Sequence, residues 1–83
     1  MAHEGPTIEV LFFGPAKARA GVDRARLTLA AETTLGELRS ELERRVGPLA
    51  PGTALVVNGE FVRGDGALAD GDEVAVLPPV SGG

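Results

Sequence analysis

Short runs of aliphatic, aromatic and β-branched residues, separated by turn-forming residues, predict the strands of this chain. The runs cover residues 7–13, 25–29, 54–57, 60–62 and 73–77. Gly, Pro, Asn or Asp residues follow most of them, as is typical where a strand gives way to a turn. Successive side chains of a strand point to opposite faces, so Ile8, Val10 and Phe12 share one face of the first strand. Leu11 and Phe13 share the other face, and both faces are therefore expected to be apolar near the end of this strand.

A helical periodicity predicts one main helix, from Thr34 to Val46. Thr34 and Glu37 have the spacing of a capping box, in which each side chain accepts a hydrogen bond from the backbone N–H of the other residue. The apolar positions form a single stripe: Leu35, Leu38, Leu42 and Val46. Gly47-Pro48 is a typical helix end. Because only one stripe is apolar, we expect the helix to lie against a sheet.

The segments between these elements predict loops and turns. Residues 14–21 contain Pro15 and two glycines with little periodicity, so we expect a loop with at most a short helical turn. Asn58-Gly59 is the strongest two-residue hairpin signal, because both residues tolerate the positive φ of a type I′ turn. The largest apolar side chains are expected in the core: Phe12, Phe61, Leu35, Leu38 and Leu42.

The order of these elements, β-β-α-β-β-β, predicts the fold class. A right-handed crossover through the helix places the third strand on the far side of the first. The last strand then lies beside the first, between the two hairpins. This arrangement is an α+β, β-grasp (ubiquitin-like) fold, with a mixed sheet of about five strands packed on one main helix. Residues 1–77 are predicted to form this domain, and residues 78–83 an extended tail.

Composition and charge exclude several kinds of chemistry. The 83 residues include no Cys, Trp or Tyr and one His, which excludes a disulfide scaffold, a zinc ribbon and a thiol nucleophile. Twelve acidic and eight basic residues give a formal net charge of −4, the wrong sign for binding the phosphate backbone of a nucleic acid. No apolar run has the length of a membrane span, and no secretory signal is visible, so we expect no membrane association and a cytoplasmic location.

Acidic residues cluster just before the last predicted strand, at Asp70, Asp72 and Glu73. The Asp-Gly pairs are better explained as turn residues, and the spacing of a calcium-binding loop is missing. We therefore predict no metal site and expect no stably bound cofactor.

The candidate functional segment is the tail: Pro78, Pro79, Val80, Ser81, Gly82 and Gly83. The prolines cannot donate ladder hydrogen bonds and hold φ near −65°, so they are expected to end the strand and keep the exit extended. Six extended residues reach about 20 Å, far enough to enter the active site of another protein. Gly82 and Gly83 have no side chains and fit a narrow channel. The predicted reactive group is the α-carboxylate of Gly83, and a frayed terminus is the alternative.

Five segments carry a resemblance to a known family. They are Val10-Leu11-Phe12-Phe13-Gly14, Thr34-Leu35-Gly36-Glu37-Leu38, Val57-Asn58-Gly59-Glu60, Leu68-Ala69-Asp70-Gly71-Asp72-Glu73-Val74-Ala75 and Leu77-Pro78-Pro79-Val80-Ser81-Gly82-Gly83. With these segments the chain resembles the MoaD-like sulfur carriers of the MoaD/ThiS family over essentially its whole length after Pro6. A terminal Gly-Gly alone is shared with the thiamine sulfur carrier and ubiquitin, whereas the last two segments together are more specific to the molybdopterin branch. Members often carry Arg-Glu where this chain has Lys17-Ala18.

The resemblance implies the small subunit of molybdopterin synthase, a non-catalytic carrier in molybdenum cofactor biosynthesis. A ubiquitin-activating-enzyme-like adenylyltransferase would use ATP and Mg²⁺ on Gly83, and a sulfur donor would then form a thiocarboxylate. The tail residues from Pro78 to Gly82 would insert into the large subunit, which would supply the catalytic side chains. There Gly83 would donate its sulfur to cyclic pyranopterin monophosphate.

A second predicted feature is a partner surface on the sheet face that points away from the helix. Strand alternation places Leu11, Phe13, Ala75 and Leu77 there, although a register slip of one residue would bury them instead. Other functions remain open from the residues alone. They are sulfur transfer in thiamine, cysteine or tRNA thiolation pathways, conjugation to other proteins through Gly83, and passive binding in which the tail is incidental.

Overall fold

The computed structural model describes residues 4–62 and 65–79. These residues form β1 (Glu4–Phe12), α1 (Gly14–Ala20), β2 (Arg24–Ala30), α2 (Leu35–Val46), β3 (Ala54–Val57), β4 (Glu60–Phe61) and β5 (Glu73–Leu77). β3 and β5 have the predicted bounds, and β2 gains one residue at each end. β1 begins at Glu4 rather than at residue 7, and β4 ends at Phe61.

The five strands form one mixed sheet in the order β2-β1-β5-β3-β4. β5 runs parallel to β1, with Val10 beside Val74. The pairs β1–β2, β3–β4 and β3–β5 are antiparallel. This topology confirms the predicted α+β, β-grasp fold with the last strand between the two hairpins.

The hydrophobic core lies between α2 and one face of the sheet. Leu38 and Leu42 of α2 are 0% and 1% exposed. They belong to one buried cluster with the central-strand residues Ile8, Val10, Phe12, Val74 and Val76. The side chains of β1 that face the helix are therefore the predicted ones, Ile8, Val10 and Phe12, and the alternation is not shifted by one residue.

The N-terminus of α2 is capped as the sequence predicts. The backbone N–H of Glu37 donates to Oγ1 of Thr34 at 3.2 Å, and the backbone N–H of Thr34 donates to Oε1 of Glu37 at 2.9 Å. The loop between β4 and β5 also closes over this end, because the backbone N–H of Leu35 donates to the carbonyl oxygen of Gly66 at 3.0 Å. No helix formed by residues 4–62 and 65–79 is both long and apolar enough to cross a membrane.

Two expectations from the sequence are wrong. Residues 14–20 form a helix, α1, rather than a loop. Pro15 occupies the first turn of α1, where its missing N–H costs nothing, Ala16 is buried in the core, and Gly21 ends the helix at φ 77°. Phe61 was expected in the core but is 75% exposed, because β4 is the edge strand and its register pairs Phe61 with Val56, on the face opposite α2.

Candidate functional site

The face of the sheet opposite α2 carries a row of apolar side chains, which we call the outer face. The register sets Leu11 beside Ala75 and Leu77 beside Ala54. Leu11, Ala75 and Leu77 are half-buried. Phe13 continues the alternation in an extended conformation (φ −132°, ψ 153°) and is 43% exposed. The predicted surface residues therefore share this face, and their role in partner binding stays a prediction.

Two further apolar residues lie on the outer face, although the sequence-based prediction does not place them there. Val56 pairs with Ala75 of β5 on one side and with Phe61 of β4 on the other. Val56 is 6% exposed and Phe61 is 75% exposed. The sequence contains the information needed to place them together. A two-residue turn at Asn58-Gly59 sets Val57 opposite Glu60 and hence Val56 opposite Phe61. The apolar outer face thus extends from β1 to the edge strand.

The base of the tail packs against the start of α1 and against the loop between α2 and β3, at the end of this sheet. Pro78 lies against Gly14, where an added Cβ would be 3.3 Å from Cγ of Pro78. Gly14 has a φ of +58°, which glycine adopts at low cost. A small cavity of about 40 Å³ borders both prolines and Leu77. The structure therefore connects the outer face directly to the first two residues of the tail.

Comparison with known proteins identifies the family. The ThiS family matches residues 10–83 of this chain. The chain belongs to the ThiS family. A curated relative is the molybdopterin synthase sulfur carrier subunit of Escherichia coli (strain K12), which is 35% identical over 80 residues and aligns with 92% of this chain and 99% of its own length.

Solved structures support the same assignment and add a second kind of protein. The putative molybdopterin converting factor subunit 1 of Pyrococcus furiosus superposes on this ThiS-family chain with a TM-score of 0.80 at 29% identity, covering 90% of this chain and 99% of its own. The small archaeal modifier protein 1 of H. volcanii gives a TM-score of 0.78 at 26% identity, covering 92% of this chain and 100% of its own.

The acidic residues of this ThiS-family chain act as turn residues in the structure. Oδ1 of Asp70 accepts from the backbone N–H of Thr7 at 2.7 Å. Asp72 accepts from Nδ2 of Asn58 at 2.9 Å and from the backbone N–H of Ala69 at 2.8 Å. Within residues 4–62 and 65–79, no three His, Cys, Asp or Glu residues lie close enough together to hold a metal ion. These carboxylates therefore tie β5 to its neighbours.

The remaining predicted site residues, Val80, Ser81, Gly82 and Gly83, lie outside the described residues. The structure describes the tail as far as Pro79, which is exposed like Pro78. From Pro79, the four residues to Gly83 span at most about 14 Å when fully extended. The α-carboxylate of Gly83 thus stays a predicted reactive group, carried by a tail base whose position is known.

Proposed function

We propose that this chain is the sulfur carrier subunit of a cytoplasmic molybdopterin synthase. The observation that carries the proposal is the similarity to the Escherichia coli subunit of that name, which extends over 99% of the relative's length. The fold supports it, because a small domain with no buried catalytic cluster in its described part can serve by presenting a terminus. The reacting group then belongs to the main chain of Gly83.

The proposed chemistry begins with activation of the Gly83 carboxylate, which is a poor electrophile. Attack of its oxygen on the α-phosphate of ATP, with Mg²⁺ bound by the adenylyltransferase, forms an acyl-adenylate and releases pyrophosphate. Hydrosulfide then attacks the carbonyl carbon, AMP leaves, and loss of the proton gives the thiocarboxylate; with a persulfide donor, a thiol cleaves the resulting acyl disulfide and is itself oxidised to a disulfide. One carrier delivers one sulfur atom, so a dithiolene with two sulfur atoms needs two deliveries to cyclic pyranopterin monophosphate.

The proposed partner of the outer face is the large subunit of the synthase. Apolar side chains in a contiguous row form the kind of surface that partner proteins cover. Leu77 joins the two parts of the proposal, since it lies on the outer face and immediately precedes Pro78. Docking of the outer face would therefore bring the tail to a fixed place on the partner, whose own side chains would catalyse the transfer.

The mass of the intact chain tests this proposal. The chain is incubated with ATP, Mg²⁺, its adenylyltransferase and a sulfide source, and we expect replacement of one oxygen by sulfur, a gain of about 16 Da. Addition of the large subunit and cyclic pyranopterin monophosphate should then yield the dithiolene. A variant that lacks Gly82 and Gly83 is the control. A wild-type chain whose mass stays unchanged under these conditions would refute the proposal.

A second candidate function is protein modification, and the similarity to the small archaeal modifier protein favours it specifically. Conjugation would join Gly83 to lysine side chains of other proteins through the same adenylate. Both functions need ATP, so ATP dependence does not separate them. Gly-Gly remnants on cellular lysines together with absent synthase activity would replace the first proposal with the second.

A further inference from the structure

Gly52 lies directly against Pro79, at the point where the tail leaves the domain. An ideal Cβ on Gly52 would be 3.1 Å from Cβ and 3.9 Å from Cα of Pro79. The first of these distances is shorter than an ordinary contact between carbon atoms, about 3.5–4.0 Å. Gly52 also has a φ of +88°. A side chain at this position would therefore displace either Pro79 or the loop that carries Gly52.

The loop that carries Gly52 is anchored to α2, so Pro79 is the side that would yield. Nη1 of Arg39 donates to the carbonyl oxygen of Thr53 at 3.0 Å. The backbone N–H of Leu49 donates to a carboxylate oxygen of Glu43 at 3.0 Å. Thr53 is itself 8% exposed. Two side chains of one helix therefore hold both ends of the loop between α2 and β3.

The direction of the chain at Pro79 limits where the tail can reach. The four residues that follow span at most about 14 Å, so a change of direction at Pro79 shifts the region that the terminal carboxylate can occupy. Misplacement by about 1 Å costs up to about 100-fold in rate when reacting atoms must meet. The direction set at Pro79 is therefore important for a reaction at Gly83.

We propose that Gly52 is a positioning residue for the reaction at Gly83: by carrying no side chain, it lets Pro79 pack on the anchored α2–β3 loop and so sets the direction in which the tail leaves. This inference rests on the proposed function, since it concerns delivery of the same carboxylate. Gly52 itself lies outside both the tail and the outer face.

The test compares Gly52→Ala with Gly71→Ala in adenylation by the adenylyltransferase, followed as ATP–pyrophosphate exchange. Gly71 is a matched control, because its φ is +89° and an added Cβ would have no atom within 4 Å. Both variants carry the same backbone strain. We expect Gly52→Ala to lower kcat about tenfold with little change in KM, because the substitution leaves the rest of the surface of the domain unchanged. Gly71→Ala should keep the wild-type kcat.

Further variants separate the outcomes. Pro79→Gly alone removes the ring that packs on Gly52 and should also lower kcat, and adding Gly52→Ala to it should cause little further loss, as a non-additive double-mutant cycle. If Gly52→Ala does not fold, Arg39→Leu frees the Thr53 carbonyl and should lower kcat in the same way. Equal kcat values for Gly52→Ala and Gly71→Ala, or a wild-type kcat for Arg39→Leu, would overturn the inference. A wild-type chain that is never adenylated would instead refute the proposed function.

Discussion

The backbone N–H of Gly36 donates a 2.5 Å hydrogen bond to Oδ1 of Asp65, although the two residues are 29 positions apart. Gly36 is in the first turn of α2, where backbone N–H groups have no partner within the helix. Asp65 therefore acts as a second cap, in addition to Thr34, and places a negative charge at the favourable end of the helix dipole. The contact attaches the β4–β5 loop to α2.

Replacing the carboxylate tests the strength of this cap. Asp65→Ala should lower the free energy of unfolding by about 1 kcal/mol, which corresponds to about 4–8 °C in Tm for a domain of this size. Thermal melts followed by circular dichroism measure the change. Glu60→Ala, which removes another exposed carboxylate, is the control and should melt close to the wild-type temperature. Equal melting temperatures for Asp65→Ala and wild type would contradict the capping role.

The effect of Gly36→Ala on the free energy of unfolding should change sign when the Asp65 carboxylate is removed. Alanine normally stabilises an exposed helical position relative to glycine by about 1 kcal/mol. A Cβ on Gly36 would, however, lie 3.0 Å from Oδ1 of Asp65, which the hydrogen bond holds in place. We therefore expect Gly36→Ala to destabilise the wild-type chain and to stabilise the Asp65→Ala variant. Urea unfolding of the four proteins measures both effects, and stabilisation in both backgrounds would refute the argument.

The outer face offers a test of partner binding. Phe61→Glu puts a charge at an aromatic residue that is 75% exposed, so the fold should tolerate it. Buried aromatic residues often dominate interfaces, at about 2 kcal/mol or more each, so the affinity for the large subunit should fall about 30-fold. Val22→Glu is the control, because Val22 is also apolar and 49% exposed but lies beyond the end of α1. Calorimetric titration that gives the same Kd for both variants would argue against docking through this face.

Removal of Gly82 and Gly83 should separate function from stability. The cluster of buried core residues that the structure describes ends at Val76, so the truncated chain should melt at the wild-type temperature. It should also show no thiocarboxylate mass shift and no dithiolene formation. A large fall in Tm would mean that the tail stabilises the domain, and retained synthase activity would favour a passive binding module.

The pH dependence of stability should reflect Glu41. Hydrogen bonds from Arg44 and from Arg45 hold the pKa of the Glu41 carboxyl below its ordinary value of 4.5. A pKa that is lowered by folding stabilises the fold above the unfolded-state pKa, and this contribution disappears as the pH falls through the folded-state pKa. Wild type should therefore melt above Glu41→Gln at pH 7, and the difference should vanish in acid.

Salt provides the control for this prediction. Arg44 and Arg45 are exposed to solvent, so added NaCl should weaken both of their ion pairs with Glu41 and reduce the difference in Tm between wild type and Glu41→Gln at pH 7. A difference that persisted at the acidic end would show that Glu41 stabilises the fold through packing rather than through its charge.

Local patterns were enough to predict most of the fold. The capping box and single apolar stripe identify α2, and the Asn58-Gly59 turn fixes the β3–β4 hairpin. Crossover handedness then places the remaining strands. α1 was missed because a seven-residue helix that begins with Gly14-Pro15 has little periodicity, and burial of Ala16 stabilises it only in the folded protein.

The contacts that matter for the candidate site were harder to predict. Phe61 is apolar, yet its exposure depends on its register partner and on the position of β4 at the sheet edge. The contact between Gly52 and Pro79 joins positions that no periodicity relates. The family resemblance indicated the tail and its terminal carboxylate but contained no information on the residues that orient them.

The central position of β5 affects how the domain is made. β1 and β3 both pair with β5 and not with each other, so during synthesis on the ribosome the two hairpins remain unjoined until β5 emerges. A continuous outer face therefore exists only in a chain whose sheet has closed around β5. A partner that recognises this face would consequently select completely folded copies.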